Sequence, residues 1–140
     1  PVRYKAKYHK NLDESIVDLA SVFRPHLSIV DGIVAMEGSG PTFGTPVKLN
    51  TILLSRDPVA IDHATARIMK INPSKTRYLG LAQERGLGSV AYEVKGYDIK
   101  QIATCFKGKP FVERVYEKGR PVLAIMQAIS NSRYRWAPVS

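Results

Sequence analysis

Cysteine is nearly absent from this chain of 140 residues. Its single cysteine, Cys105, excludes an internal disulfide, a cysteine-rich zinc site and a complete set of iron–sulfur ligands within the chain. No run of about 18 apolar residues occurs, so the sequence shows no membrane-spanning helix of ordinary length. The first thirty residues also lack the apolar segment of a signal peptide, and we therefore expect a cytoplasmic protein.

The composition is that of an ordinary globular protein. Hydrophobic residues make up 44% of the chain and charged residues 24%, which excludes a disordered or fibrous protein. We predict a single domain over residues 1–140, with a basic arm at 1–10 and a tail at 130–140. The net charge is +9, and the arm carries cations that could bind nucleic acid. No nucleic-acid-binding motif accompanies the arm, so this is the least favoured interpretation.

Hydrophobic periodicity and helix-start signals predict alternating helices and strands. Such alternation is typical of an α/β domain, with helices packed on a mostly parallel or mixed sheet. The stretch 36–46, rich in glycine and proline, should form a loop without regular structure. The predicted elements are, in order, a helix from Asn11 to Arg24, a strand at 27–30, that loop, a strand at 50–55 that is buried on both faces, helices that begin at Asp57 and Asn72, and a strand at 90–94.

Two of the predicted helices carry apolar faces that we expect to be buried. The first begins at Asn11, with Glu14 in the capping-box position. Its apolar stripe consists of Leu12, Ile16, Leu19, Ala20 and Phe23. The helix that begins at Asp57-Pro58 has an aspartate cap followed by proline at the first helical position. Its predicted buried face consists of Ile61, Ala64 and Ile68.

Four acidic residues stand next to predicted strand ends and helix starts: Asp31, Glu37, Asp57 and Asp62. In open α/β sheets, ligands bind in the crevice outside the carboxyl ends of the strands. The four acids together would hold Mg²⁺, Mn²⁺ or Ca²⁺, which prefer oxygen ligands. Asp31 and Glu37 are the candidate catalytic residues, one of them serving as general base if its neighbours raise its pKa. Structural alternatives are a strand-end role for Asp31, a helix cap for Asp57 and, for Asp62, either a solvated position on the helix or an ion pair with Arg67.

The glycine-rich loop is a second part of the candidate site. Its backbone N–H groups could form a nest for a cofactor or for an anionic group of a substrate. The spacing is neither that of the P-loop nor that of the dinucleotide-binding fingerprint. The alternative is a tight connection over the sheet edge. The candidate cofactor-binding residues are Gly38, Ser39, Gly40, Thr42 and Gly44.

Three stretches of the sequence resemble the DUF362 family of uncharacterised bacterial and archaeal proteins. They run from Leu27 to Gly44, from Ser55 to Asp62 and from Tyr78 to Gly88, and the resemblance covers about residues 8–105. Many family members carry ferredoxin-like 4Fe–4S segments, so the resemblance implies a cluster on another segment or on a partner. It also implies that this chain is the C-terminal part of a larger DUF362 unit, because family members have a further block upstream.

Three functional interpretations follow. The first is a redox- or metal-linked metabolic protein that holds a divalent ion or an anionic ligand at the acidic and glycine-rich site. The second is a non-catalytic module that docks an acidic or iron–sulfur partner through its basic surface, and the third is nucleic-acid binding through the arm. We expect no membrane partner. The sequence leaves open the oligomeric state and whether the protein is an enzyme.

Overall fold

A computed structural model of the chain describes residues 11–40 and 42–108. The basic arm predicted at residues 1–10 and the tail predicted at 130–140 lie outside these residues. None of the described helices is long and apolar enough to cross a membrane. The described elements are helices α1 (Leu12–Val22), α2 (Pro58–Ile68), α3 (Arg77–Glu84) and α4 (Ile99–Ile102), strands β1 (Ser28–Ser39) and β2 (Phe43–Ser55), and a turn of 3₁₀ helix at Pro73–Lys75.

Strands β1 and β2 form a two-stranded antiparallel hairpin, and only three residues of sequence separate Ser39 at the end of β1 from Phe43 at the start of β2. The predicted mixture of helices and strands is confirmed. The predicted parallel or mixed sheet is wrong for the described part of the chain. So short a connection can join only antiparallel neighbours, because a parallel pair needs a crossover of about a dozen residues or more. The strand predicted at 90–94 is irregular chain.

The stretch 36–46, predicted as an irregular loop, lies largely within the two strands. Glycine and proline are tolerated in strands that have an open edge. Among the described residues the sheet has only two strands, so each of them has such an edge. Gly38 takes a φ of 78°, a conformation that a residue with a Cβ rarely adopts. The composition of the stretch therefore marks the end of a hairpin.

The chain divides into two compact units, residues 1–36 with 46–106 and residues 37–45 with 107–140. The described part of the first unit contains two clusters of buried apolar side chains. The first cluster joins α1, α2, α3 and the chain that follows α3. Its members are Val17, Val59, Leu79, Ala82 and Leu87.

Helix α1 contacts α3 through a face that differs from the predicted one. Val17 is its buried residue, whereas four of the five residues of the predicted stripe are exposed: Leu12, Ile16, Leu19 and Phe23. Glu14 forms an ion pair with Arg77, and Asp18 forms one with Arg85 at 2.5 Å. The Asn11 side chain makes no capping hydrogen bond. The predicted buried stripe and capping box of this helix are therefore wrong.

The second cluster holds β2 against helices α2 and α4. Its buried members are Ala64, Ile68 and Ile99, and Leu49, Leu53, Tyr92 and Ile102 pack against them. The buried face predicted for α2 is confirmed, because Ile61 is buried together with Ala64 and Ile68. The N–H of Thr104 donates to the Ile68 carbonyl at 2.8 Å. This bond ties the chain after α4 to the C-terminal end of α2.

Candidate functional site

Asp57 caps helix α2 and also holds the chain that follows α3. Its Oδ1 accepts hydrogen bonds from the N–H groups of Val59 at 2.8 Å and Ala60 at 2.9 Å. Its Oδ2 accepts one from the N–H of Ser89 at 2.7 Å. Both carboxylate oxygens are thus engaged with backbone donors. The structural alternative for this residue, a helix cap, is what the structure shows.

Asp62 lies half-buried on α2, and its partner is Tyr78 on α3. The tyrosine hydroxyl donates to Oδ2 of Asp62 at 3.1 Å. Burial raises the pKa of Asp62, and this hydrogen bond opposes the rise. Burial, followed by the charge of Asp62, raises the pKa of Tyr78 to about 12. The phenol therefore stays a proton donor at neutral pH, and the pair joins two helices.

Asp31 and Glu37 lie on β1, in the first and the second compact unit respectively. Asp31 is exposed, and its Oδ1 accepts from the N–H of Ile33 at 2.9 Å. In the second unit, Oε2 of Glu37 accepts from the N–H of Lys107 at 2.7 Å. The N–H of Gly38 donates to the Lys107 carbonyl at 2.9 Å. Glu37 and Gly38 thus bind one backbone segment within the second unit.

Each of the four acids has a hydrogen-bond partner of its own. Within residues 11–40 and 42–108, no three or more acidic, histidine or cysteine side chains are grouped so that they could hold a metal ion. The predicted cofactor-binding residues lie at the end of the hairpin. Gly38 and Ser39 end β1, Gly40 and Thr42 belong to the turn, and Gly44 lies in β2. The metal, catalytic and cofactor roles of these residues stay predictions.

A cleft in the first unit is a feature that the sequence did not reveal. It has a volume of about 340 Å³. Its walls are two continuous stretches of chain, the last five residues of β2 (51–55) and the irregular segment 92–97, together with side chains from α2 and α4. The buried members of the lining are all aliphatic: Ala60, Ile61, Ala64, Ile68 and Ile99. Its charged members, Glu93 and Lys95, are exposed.

His63 and Tyr92 fasten one wall of this cleft to helix α2. Nδ1 of His63 and the Tyr92 hydroxyl share a hydrogen bond of 2.8 Å, and the rings meet edge to face with their centroids 5.5 Å apart. Burial, followed by the charge of Arg67, lowers the pKa of His63. The imidazole is therefore mostly neutral at pH 7. The segment 92–97 begins at this contact, so the pair helps to fix the width of the cleft.

Comparison with known families agrees with the sequence resemblance. Residues 1–67 match the family model described as "Domain of unknown function (DUF362)". The chain carries a DUF362 domain over these residues. The match includes the first two stretches that resemble the family, Leu27 to Gly44 and Ser55 to Asp62, and ends before the third.

The chain also resembles a curated protein from Synechocystis sp.. This relative is the "Thylakoid-associated protein sll1697" of Synechocystis sp., which is 31% identical over 101 residues. The alignment covers 67% of this chain and 32% of the relative, so the chain spans about a third of the relative's length. No solved structure matches the chain.

Proposed function

We propose that this chain is a binding module that takes a mainly apolar ligand in the cleft between β2, α2 and residues 92–97. The observation that carries the proposal is the lining, which is aliphatic where it is buried and charged only where it is exposed. Ligand sites are mostly apolar, with a few placed polar groups, and have volumes of about 300–1,000 Å³. The cleft, with about 340 Å³, falls at the lower end of that range.

The hydrogen bonds of the acids support a binding role over an acid-centred reaction. Asp57 is engaged with three backbone N–H groups, and Asp62 with the Tyr78 hydroxyl. An ion bound by either carboxylate would have to displace or share these donors, three of which are part-buried and would lose their acceptor. The proposal therefore gives these two acids structural roles.

Filling the cleft tests the proposal. The Ala64→Phe variant places a large ring among the cleft residues, whereas Ala66→Phe makes the same change on α2 at a position that does not line the cleft. The probe is 8-anilinonaphthalene-1-sulfonate, an anionic dye whose fluorescence rises when its aromatic rings enter an apolar site. We expect Ala64→Phe to weaken dye binding at least about tenfold, or about 1.4 kcal/mol, and Ala66→Phe to leave it unchanged.

Two results would contradict the proposal. One is a parent protein that does not bind the dye, and the other is equal loss of binding in the two variants. Circular dichroism and thermal melting of both variants show whether the added ring has disturbed the fold. Equal loss with an intact fold would place the dye on another surface.

The redox- or metal-linked role expected from the sequence is a narrower proposal. It needs a divalent ion or an anionic ligand held by Asp31, Glu37, Asp57 and Asp62 together with the glycine-rich end of the hairpin. Metal titration of the Asp31→Asn and Glu37→Gln variants tests it. The predicted docking of an acidic or iron–sulfur partner on the basic surface is tested by salt, since the Debye length falls to about 3 Å at 1 M and docking should weaken strongly.

The predicted cytoplasmic location is also a proposal. The relative's name connects that protein with the thylakoid. Cell fractionation distinguishes a cytoplasmic location from an association with membranes for this chain. Recovery in the cytoplasmic fraction agrees with the proposal, and recovery with membranes would extend the relative's association to this protein.

A further inference from the structure

We infer that the cleft binds an extended, uncharged peptide segment, which adds a third strand to the hairpin along the free edge of β2. The inference rests on the proposed function, because it names the class of ligand for the same cleft. It depends on which backbone groups face the cleft, on what covers its opposite side, and on the charge of its rim.

The first observation is the direction of the β2 backbone. A Cβ atom on Gly32 would lie 2.9 Å from the carbonyl oxygen of Thr51, so this carbonyl faces β1. Along a strand, successive residues direct their N–H and C=O groups to opposite sides. The N–H and C=O groups of Ile52 and Leu54 therefore face the other edge of β2. Among the described residues, no strand pairs with that edge.

The second observation is that this free edge forms a wall of the cleft. The side chains of Ile52 and Leu54 are on the face away from α2, where these residues are 53% and 62% exposed. Both residues nevertheless line the cleft together with Thr51, Leu53 and Ser55. Since the side chains of Ile52 and Leu54 lie on the other face of the sheet, we infer that these residues line the cleft with their backbone atoms. Unpaired N–H and C=O groups of a strand edge are a template for a further strand.

The third observation is the shape of the cleft. The opposite wall is also a continuous stretch of chain, residues 92–97. Unlike the first wall, it belongs to neither a helix nor a strand. A space between two such stretches accepts a single extended chain, which needs about 4.7–4.9 Å on each side of its backbone. The sheet edge of a second folded copy would bring its own neighbouring strand toward the wall formed by residues 92–97, so we take a single segment as the better match to the cleft. The occupant is therefore one segment.

The lining also determines the chemistry of that segment. The floor is aliphatic, so every second side chain of the occupant should be apolar. The rim carries one acid, Glu93, and one base, Lys95, and therefore favours neither an acidic nor a basic peptide. In the Synechocystis relative, about two thirds of the chain lies outside the aligned region. Further segments of such longer chains are the natural source of a strand that continues the β1–β2 ladder.

The test uses the full chain and a fluorescent peptide of six residues that alternates valine and threonine. Its matched control has the same sequence with N-methyl groups on alternate amides, which removes the donors that would face β2. We expect the parent peptide to bind and the methylated peptide to bind at least about tenfold more weakly. Equal binding of the two peptides would overturn the inference.

Amide hydrogen exchange of the unmodified protein gives a second readout. The peptide should slow exchange at the amides of Ile52 and Leu54 by at least about tenfold, because these amides gain acceptors. Exchange at Leu53, whose N–H faces β1, should stay unchanged. The control is the same measurement without peptide at several protein concentrations. If exchange at Ile52 and Leu54 then slows as the protein concentration rises, the edge pairs with a second copy and the inference is overturned.

The two proposals fail separately. Dye binding that Ala64→Phe removes, together with no peptide binding, would overturn the strand-addition inference and leave the binding cleft in place. Absence of both dye and peptide binding would overturn both.

Discussion

The N–H of Ser89 donates to Oδ2 of Asp57 at 2.7 Å, so one carboxylate both starts helix α2 and holds the chain after α3. Val59 and Leu87 on either side of this contact belong to the same buried cluster. The contact therefore lies where the two helices and the following segment meet. Its removal should affect the stability of the first compact unit.

We expect Asp57→Ala to lower the free energy of unfolding by about 1–2 kcal/mol, because the N-cap acceptor of α2 is lost. Asp57→Asn is the matched control. It keeps an oxygen for the Val59 and Ala60 amides, but its amide group offers no second acceptor for Ser89, so its loss should be smaller. Urea unfolding followed by circular dichroism measures both. An alanine variant as stable as the parent would contradict the structural role of this acid.

Two glycine-to-alanine changes should have opposite effects on stability. A Cβ on Gly88 would lie 2.1 Å from Oδ1 of Asp57 and 2.7 Å from Cβ of Val59, so Gly88→Ala must displace the cap. Such overpacking costs about 1–3 kcal/mol. A Cβ on Gly80, inside α3, would meet nothing within 4 Å, and Gly80→Ala should stabilise by about 1 kcal/mol. Melting temperatures that shift in the same direction would contradict the close approach at Gly88.

The pKa of Asp62 predicts a pH dependence of stability. Burial raises this pKa in the folded chain above its ordinary value of 3.8, so the folded state holds the proton more tightly than the unfolded state. The contribution of Asp62 to stability is fully present below the unfolded pKa and is lost as the pH rises through the folded pKa. Asp62→Asn lacks this titration, while its amide oxygen can still accept from Tyr78.

Unfolding free energies of the parent and Asp62→Asn, measured between about pH 3 and pH 7, test this linkage. We expect the variant to gain stability relative to the parent as the pH rises. Tyr78→Phe removes the bond that opposes the rise in the pKa of Asp62, so this pKa should increase further. Parallel pH profiles for the parent and Asp62→Asn would show that burial does not perturb this carboxyl group.

Asp31, Glu37, Asp57 and Asp62 each accept hydrogen bonds from a different partner, and this arrangement predicts the outcome of a metal titration. We expect Mn²⁺, followed by electron paramagnetic resonance, to bind the full chain only weakly, with no change in Asp31→Asn or Glu37→Gln. Tight binding of one ion that both variants abolish would establish the acidic site expected from the sequence. That result would return the metal-linked function to first place.

The start and the buried face of α2 were predictable because their causes are local. Asp57 supplies the cap and Pro58 sets the backbone angle of the first turn, so neighbouring residues decide where the helix begins. The face of Ile61, Ala64 and Ile68 follows from helical spacing alone. These are the parts of the fold in which sequence and structure agree most closely.

The buried face of α1 could not be predicted, because it depends on a distant element. The predicted stripe has the better apolar periodicity, but α3 lies against Val17 and offers Arg77 and Arg85 to Glu14 and Asp18. Those partners are more than sixty residues away in sequence. Tertiary contacts of this kind commonly override local patterns.

The hairpin was missed because its end is rich in glycine and proline, which usually indicate a loop. The cleft was missed because it needs two distant stretches to lie side by side. Residues 51–55 gave a clear strand signal, whereas residues 92–97 overlap the strand predicted at 90–94 and have no regular structure. The contact of Tyr92 with His63, 29 residues apart, and the packing of Tyr92 against the cluster that contains Ala64 and Ile68 place that segment beside α2.

The binding cleft is tested most directly by two-dimensional ¹H–¹⁵N NMR of the full chain, titrated with a set of small uncharged apolar fragments. The proposal predicts that shift changes concentrate at residues 51–55 and 92–97, and that Ala64→Phe removes them while Ala66→Phe does not. Shift changes that fall elsewhere, or that persist in Ala64→Phe, would contradict the assignment of this cleft as the functional site.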